Sequence, residues 1–273
     1  MNRIILYISI FAALSDTVQC QNADRDTAST KLSGIFCSDS RDFIDCIALR
    51  FHEVTHPDGS SLITAGVVAG TTAALFFADQ SVRSFAGRSR STFNDDVLNI
   101  TEQYGATADA IIISGSIYSA GLLFGTPEIR KTGTMLLESL FWTGVVTSVI
   151  KYTFGRARPY MNEGNVRFHG VQFSDNYLSF PSGHVAVAFT LSSVLSERIN
   201  NTAASIGLYT LAGLTGAARI YHDQHWLSDV FLGAFIGTSV GTAVAHDDDE
   251  KSSSHCSTRI FLTPNGFGFA MEF

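Results

Sequence analysis

The chain has 273 residues, 45% hydrophobic and 16% charged, with 21 phenylalanines and a formal net charge of −7. That charge fraction is well below the roughly 25% usual for soluble domains, so burial of apolar surface is heavy. The acidic balance, with no basic face in the pattern, excludes nucleic acid as a partner.

Residues 1–20 read MNRIILYISIFAALSDTVQC. Arg3 precedes an apolar stretch, Ile4–Leu14, too short to span a bilayer, and small or polar residues follow, which is the pattern of an export signal. Cleavage after Cys20 and lipid attachment at Cys20 both stay open, although Gln19 stands where lipidation wants a small residue. Export permits disulfides, and Cys37 and Cys46 are placed to pair, leaving Cys256 alone. There is no CxxC and no set of histidines and cysteines at zinc-ligand spacing, so no structural zinc site is expected.

Residues 21–60 are polar and mixed, and HPDGSS at 56–61 is a loop. Apolar segments then recur at 62–78, 110–126, 132–150, 184–195, 203–217 and 230–245, each of helical length. The expected fold is all-α: a bundle of about six apolar helices within a domain of residues 61–245. Small residues in AGVVAG (65–70) and GAFIGTSVG (233–241) suit close helix packing. A membrane span takes about 20 apolar residues, with a lower limit near 17. Most of these segments fall at or below that limit and Glu138 interrupts one, so an integral and a membrane-peripheral bundle both fit. Residues 246–273 read as an acidic linker, HDDDE at 246–250, and a small C-terminal β-hairpin. Pro264-Asn265-Gly266 supplies its turn, and Phe267, Phe269, Met271 and Phe273 share one face.

Three polar clusters stand where apolar segments begin or end. KYTFGRARP carries Lys151, Arg158 and Pro159; the second is Pro181-Ser182-Gly183-His184; ARIYHDQHWLSD carries Arg219, His225 and Asp229. Singly, each has an ordinary explanation. A cation suits a helix C-terminus, and Ser182 suits a helix cap. Together they offer three fixed cations, a hydroxyl, helix-start N–H groups, two imidazoles and a carboxylate. That inventory suits a tetrahedral oxyanion, because Arg forks bind phosphate oxygens, Lys adds a point charge and a helix N-terminus favours anions.

The order Lys-x6-Arg-Pro, Pro-Ser-Gly-His, Arg-x5-His-x3-Asp resembles the three-part signature of the type 2 phosphatidic acid phosphatase and vanadium haloperoxidase superfamily. Class A acid phosphatases share that signature. The match spans residues 151–229 and implies a helical motif core of 110–245. Ala218 departs from it, since the family usually has Ser before that Arg.

The resemblance implies a metal-independent phosphatase acting on phosphate monoesters or pyrophosphates. It implies that His225 attacks phosphorus to form a phosphohistidine, that Asp229 orients the ring, and that His184 is the general acid and then base. Lys151, Arg158, Ser182, Gly183 and Arg219 would hold the phosphate oxygens. No cofactor is implied, with vanadate only as a phosphate mimic.

The apolar bundle suggests a lipid substrate: phosphatidic acid, phosphatidylglycerol phosphate, undecaprenyl pyrophosphate or the phosphates of lipid A. With the export pattern, it suggests a bacterial-type cell envelope and a site on the periplasmic side of a membrane. A soluble periplasmic acid phosphatase, a vanadate-dependent haloperoxidase and a non-catalytic envelope protein are the rival readings. His222 adjoins the third cluster without a motif role, and Tyr152, Tyr160 and Trp226 read as packing residues.

Overall fold

The structure is a computed structural model that describes residues 34, 35, 39, 59–253, 258–263 and 266–271. The export-like stretch 1–20, the Cys37–Cys46 pair and Cys256 lie outside the described residues.

Seven helices occur among the described residues: α1 (Gly59–Arg88), α2 (Thr92–Tyr104), α3 (Thr107–Leu123), α4 (Pro127–Phe154), α5 (Gly183–Ile199), α6 (Thr202–Tyr221) and α7 (Leu227–Ser253). Six of them are the apolar segments of the sequence, extended at both ends except that the helix expected over 110–126 stops at Leu123. The fold is all-α. Backbone strands β1 (Thr258–Thr263) and β2 (Gly266–Met271) pair antiparallel, Thr263 opposite Gly266.

The helix absent from the sequence reading is α2. Its sequence, TFNDDVLNITEQY, lacks an apolar stripe wide enough to announce it. Its start is capped by Ser91, whose hydroxyl accepts the Asn94 N–H at 3.2 Å. Its body is tied to α6, where Thr215 Oγ1 donates to the Thr101 carbonyl at 2.8 Å and the Tyr221 hydroxyl to Asp95 at 2.6 Å. Tertiary contact makes this helix, as is usual for short helices of middling propensity.

The core is built from Ala110, Met135, Leu136, Leu140, Val187, Leu191, Val194 and Val244, on α3, α4, α5 and α7. The tightest seam joins α5 to α7. A Cβ at Gly233 would lie 2.5 Å from the Ser182 carbonyl oxygen, and one at Gly237 would lie 2.2 Å from that of Ala186. A Cβ at Gly241 would lie 2.8 Å from Ser193 Cβ. The spacing of four repeats one face of a helix, so GAFIGTSVG lays a smooth strip against the α5 backbone.

Among the described residues, three helices are long and apolar enough to cross a membrane: Leu62–Arg88, Pro127–Phe154 and Leu227–His246. The pair α2 and α3, bent by 54° at their break, reaches that length together. Only 17% of the apolar window of α1 is buried within the protein. Ile63, Val67, Phe77, Ile112, Val149 and Ile206 stand exposed on the outer faces. Apolar surface on that scale calls for a nonaqueous neighbour, and the protein is membrane-associated.

Candidate active site

The site assembles where α4 ends and α5 and α7 begin. Helix α4 stops at Gly155, whose φ of +58° is left-handed. A Cβ there would lie 2.1 Å from the Gly170 carbonyl oxygen, so both the turn and the crowding require glycine. The turn sends Arg156 into the protein and leaves Arg158 half-buried in the following loop.

His225 lies just ahead of α7 and is 2% exposed. Its Nδ1 is 2.7 Å from the Ser179 carbonyl oxygen. A carbonyl only accepts, so Nδ1 carries the proton and Nε2 keeps its lone pair. Burial, then the charges of Lys151, Arg158 and Arg219 and the ring of His184, hold the imidazole pKa well below its ordinary value. The ring is therefore a neutral base with its lone pair at Nε2, set among cations.

The cations come from three directions. Lys151, in the last turn of α4, donates from Nζ to the Leu178 carbonyl at 2.8 Å, and its Cε passes 3.5 Å from where a Gly183 Cβ would sit. Arg158 is fixed by the Asp175 carbonyl at 2.7 Å and by Gln224 Oε1 at 2.8 Å. Arg219, in the last turn of α6, pairs through one Nη with Glu102 of α2. The chain then folds back, and the N–H groups of Gln224 and His225 both donate to the Arg219 carbonyl, at 3.0 and 3.2 Å. That turn brings His225 under Arg219.

Ser182 is the N-cap residue of α5, yet its side chain makes no capping bond. The bland reading of PSGH as a helix cap therefore fails. Its Oγ is buried without a hydrogen-bond partner, as are Arg219 Nε and His222 Nε2. Buried polar atoms are nearly always paired, so these three orphans are candidate partners for a ligand. Gly183 opens α5, and His184 is half-buried in its first turn.

Asp229 departs from its expected role. Its Oδ2 lies 3.7 Å from His225 Nδ1, beyond hydrogen-bond reach, because the Ser179 carbonyl occupies that position. The carboxylate instead accepts from the Ser179 hydroxyl at 2.5 Å and from the Trp226 N–H at 2.9 Å, and it pairs with Arg156. Asp229 thus holds the frame of the ring rather than the ring. Its backbone carbonyl also accepts the Ser182 N–H at 2.9 Å, which joins the second and third clusters.

The sequence reading missed Arg156, Ser179, Asp79 and Glu102. Arg156 stands inside KYTFGRARP, two residues before a better-marked arginine. Ser179 stands two residues before Pro181-Ser182-Gly183-His184, while Asp79 and Glu102 act from separate segments with no motif around them. Trp226 is 1% exposed and donates from Nε1 to the Ala157 carbonyl at 3.0 Å, a packing role. Tyr152 stacks on Phe173 at 5.5 Å between centroids, and the Tyr160 hydroxyl donates to Asn176 at 2.9 Å. Among the described residues, no three His, Cys, Asp or Glu side chains converge as metal ligands.

Residues 132–252, which hold all three clusters, match the family model of the PAP2 superfamily. The lipid A 1-phosphatase of Porphyromonas gingivalis is 29% identical over 147 residues, covering 52% of this chain and 28% of that protein. Lipid phosphate phosphatase 1 of Arabidopsis thaliana is 34% identical over 133 residues, covering 38% of this chain and 41% of that one. The chain thus spans less than half the length of either relative. A transmembrane PAP2-type phosphatidylglycerolphosphate phosphatase from Bacillus subtilis superposes with a TM-score of 0.54 at 20% identity. That match covers 67% of this chain and 95% of the other, and the two share the fold.

Proposed function

We propose, since residues 132–252 match the family model of the PAP2 superfamily, that the protein is a membrane phosphatase that removes phosphate from a phosphorylated lipid. The observation that carries this reading is the tautomer of His225. A buried, neutral imidazole with its lone pair at Nε2 is a nucleophile at rest, and three cations surround it.

Phosphate oxygens would bind to Lys151, Arg158, Arg219 Nε, Ser182 Oγ and the Gly183 N–H. Nε2 of His225 then forms a bond to phosphorus as the bond to the lipid oxygen breaks. His184 gives its proton to the departing alkoxide. Water next attacks phosphorus and loses a proton to His184, the N–P bond breaks, and inorganic phosphate leaves. The cations carry the charge that grows on the equatorial oxygens. Nδ1 stays bonded to the Ser179 carbonyl, which offsets part of the positive charge on the ring.

The span-length apolar helices α1, α4 and α7 support a lipid substrate, because a bilayer around them would set the site beside acyl chains. The printed activities of the relatives, on lipid A and on lipid phosphates, support the same class.

The test is phosphate release by the full chain in detergent micelles, from phosphatidic acid and from a water-soluble aryl phosphate, with His225→Ala beside it. The lipid is expected to be the better substrate. The variant is expected to lose about a thousandfold or more in kcat while keeping its helical circular dichroism. Equal release by the folded variant contradicts the mechanism.

A further inference from the structure

We infer that Asp79 of α1, which precedes the family domain in the chain, is a positioning residue for the His225 nucleophile. It acts through Arg156 and the first turn of α7. The side chains of Asp79, Arg156 and Asp229 are all fully buried. The Arg156 guanidinium is enclosed by Phe76 at 4.5 Å, Phe168 at 5.5 Å, Trp226 at 5.6 Å and Phe180 at 5.9 Å. A charge in that setting is tolerable only when paired and fully hydrogen-bonded.

Arg156 meets that condition. Nε donates to the Asn165 carbonyl at 2.9 Å, Nη1 to Ser228 Oγ at 2.7 Å and to Asp229, and Nη2 to Asp79 Oδ2 at 2.6 Å and to the Asn165 carbonyl. Asp79 does more than neutralise it. Its Oδ1 accepts the Ser228 N–H at 2.9 Å and its Oδ2 the Ser228 hydroxyl at 2.8 Å.

One carboxylate therefore holds both the guanidinium and the start of α7. From there the path is short. Arg156 fixes Asp229, Asp229 fixes the Trp226 N–H and the Ser179 hydroxyl, and these flank His225 on its backbone and at Nδ1. Pairing one arginine with two acids leaves the cluster with a net negative charge behind a nucleophile that faces three cations.

The inference depends on the phosphatase reading for its kinetic arm alone. The other arm is oxyanion binding. Orthovanadate takes a bond from a histidine nitrogen as transferring phosphorus does, whereas inorganic phosphate is held by the cations without one. The experiment measures the affinities of the full chain in detergent for both ions, together with kcat and KM, for wild type, Asp79→Asn and Ser228→Ala.

Asp79→Asn is expected to weaken vanadate about tenfold or more, in step with kcat, while phosphate affinity and KM hold within about twofold. Ser228→Ala keeps the charge, loses the bridging hydroxyl and shifts the same ratio by about threefold. A vanadate-to-phosphate ratio equal to wild type in the folded variants overturns the inference, whether both ions are unchanged or both weaken alike. If Asp79→Asn does not fold, the Ser228→Ala ratio decides. Wild-type protein that binds both ions and releases no phosphate overturns the phosphatase reading and leaves the ratio to judge Asp79. Wild-type protein that binds neither overturns both.

Discussion

Burial and three neighbouring cations depress the His225 pKa, and the direction has two measurable consequences. The nucleophile stays neutral below the ordinary histidine value of about 6.5, so the acidic limb of kcat/KM belongs below that pH. The unfolded chain takes up a proton there and the folded protein does not. His225 therefore contributes stability above about pH 6.5 that is lost as pH falls, at up to about 1.4 kcal/mol per pH unit. Subtracting the pH dependence of unfolding of His225→Gln from that of wild type isolates this contribution. A difference that shrinks as pH rises toward about 6.5 instead contradicts the burial of a neutral ring.

A second residue-scale prediction concerns Glu102. Its carboxylate holds one Nη of Arg219 and lies 3.7 Å from His222 Nε2, so it competes with any anion for the same cation. Glu102→Gln is expected to tighten inhibition by inorganic phosphate by about threefold to tenfold. Weaker inhibition would make Glu102 an aligner of Arg219 instead. The residues proposed to bind oxygen were legible in the sequence, because a basic side chain or a histidine at fixed spacing declares its chemistry. The residues that aim the nucleophile were not. Ser179 acts through a backbone carbonyl, which no residue type announces, and Asp79 meets Ser228 from 149 positions away.

At the scale of elements, the glycine strip of α7 sets the distance to α5 and hence the height of Ser182 and His184 over His225. Gly237→Ala would place a methyl 2.2 Å from the Ala186 carbonyl oxygen. It is expected to destabilise by about 1–3 kcal/mol, the usual cost of overpacking. Thermal unfolding in detergent measures it, with Gly207→Ala on α6, where a Cβ meets nothing within 4 Å, as the unaffected control. The six apolar helices were legible from composition and length. Helix α2 was not, since its stability comes from Ser91, Thr215 and Tyr221 rather than from its own pattern.

For the whole molecule, the arrangement sets a cluster of cations around His225 at the ends of helices long and apolar enough to span a membrane. Under the proposed function, a bilayer around α1, α4 and α7 would present a lipid phosphate to those cations with little loss of chain burial. Membranes washed with alkaline carbonate are expected to keep the protein, and its release into the wash would contradict spanning helices. Length alone left that question open in the sequence. The apolar segments were read too short, because Pro127 starts α4 and Gly155 ends it outside the window that hydropathy marks.

The most direct measurement is the covalent state of His225 during turnover. Full-length protein mixed with labelled substrate and quenched in alkali is expected to carry one phosphate on His225, stable to base and lost in acid. Trapping should fail in His225→Ala and rise when His184 is replaced by Asn, since His184 activates the water that clears it. Turnover by wild type with no phosphate trapped on His225, or phosphate trapped on another residue, would contradict the account.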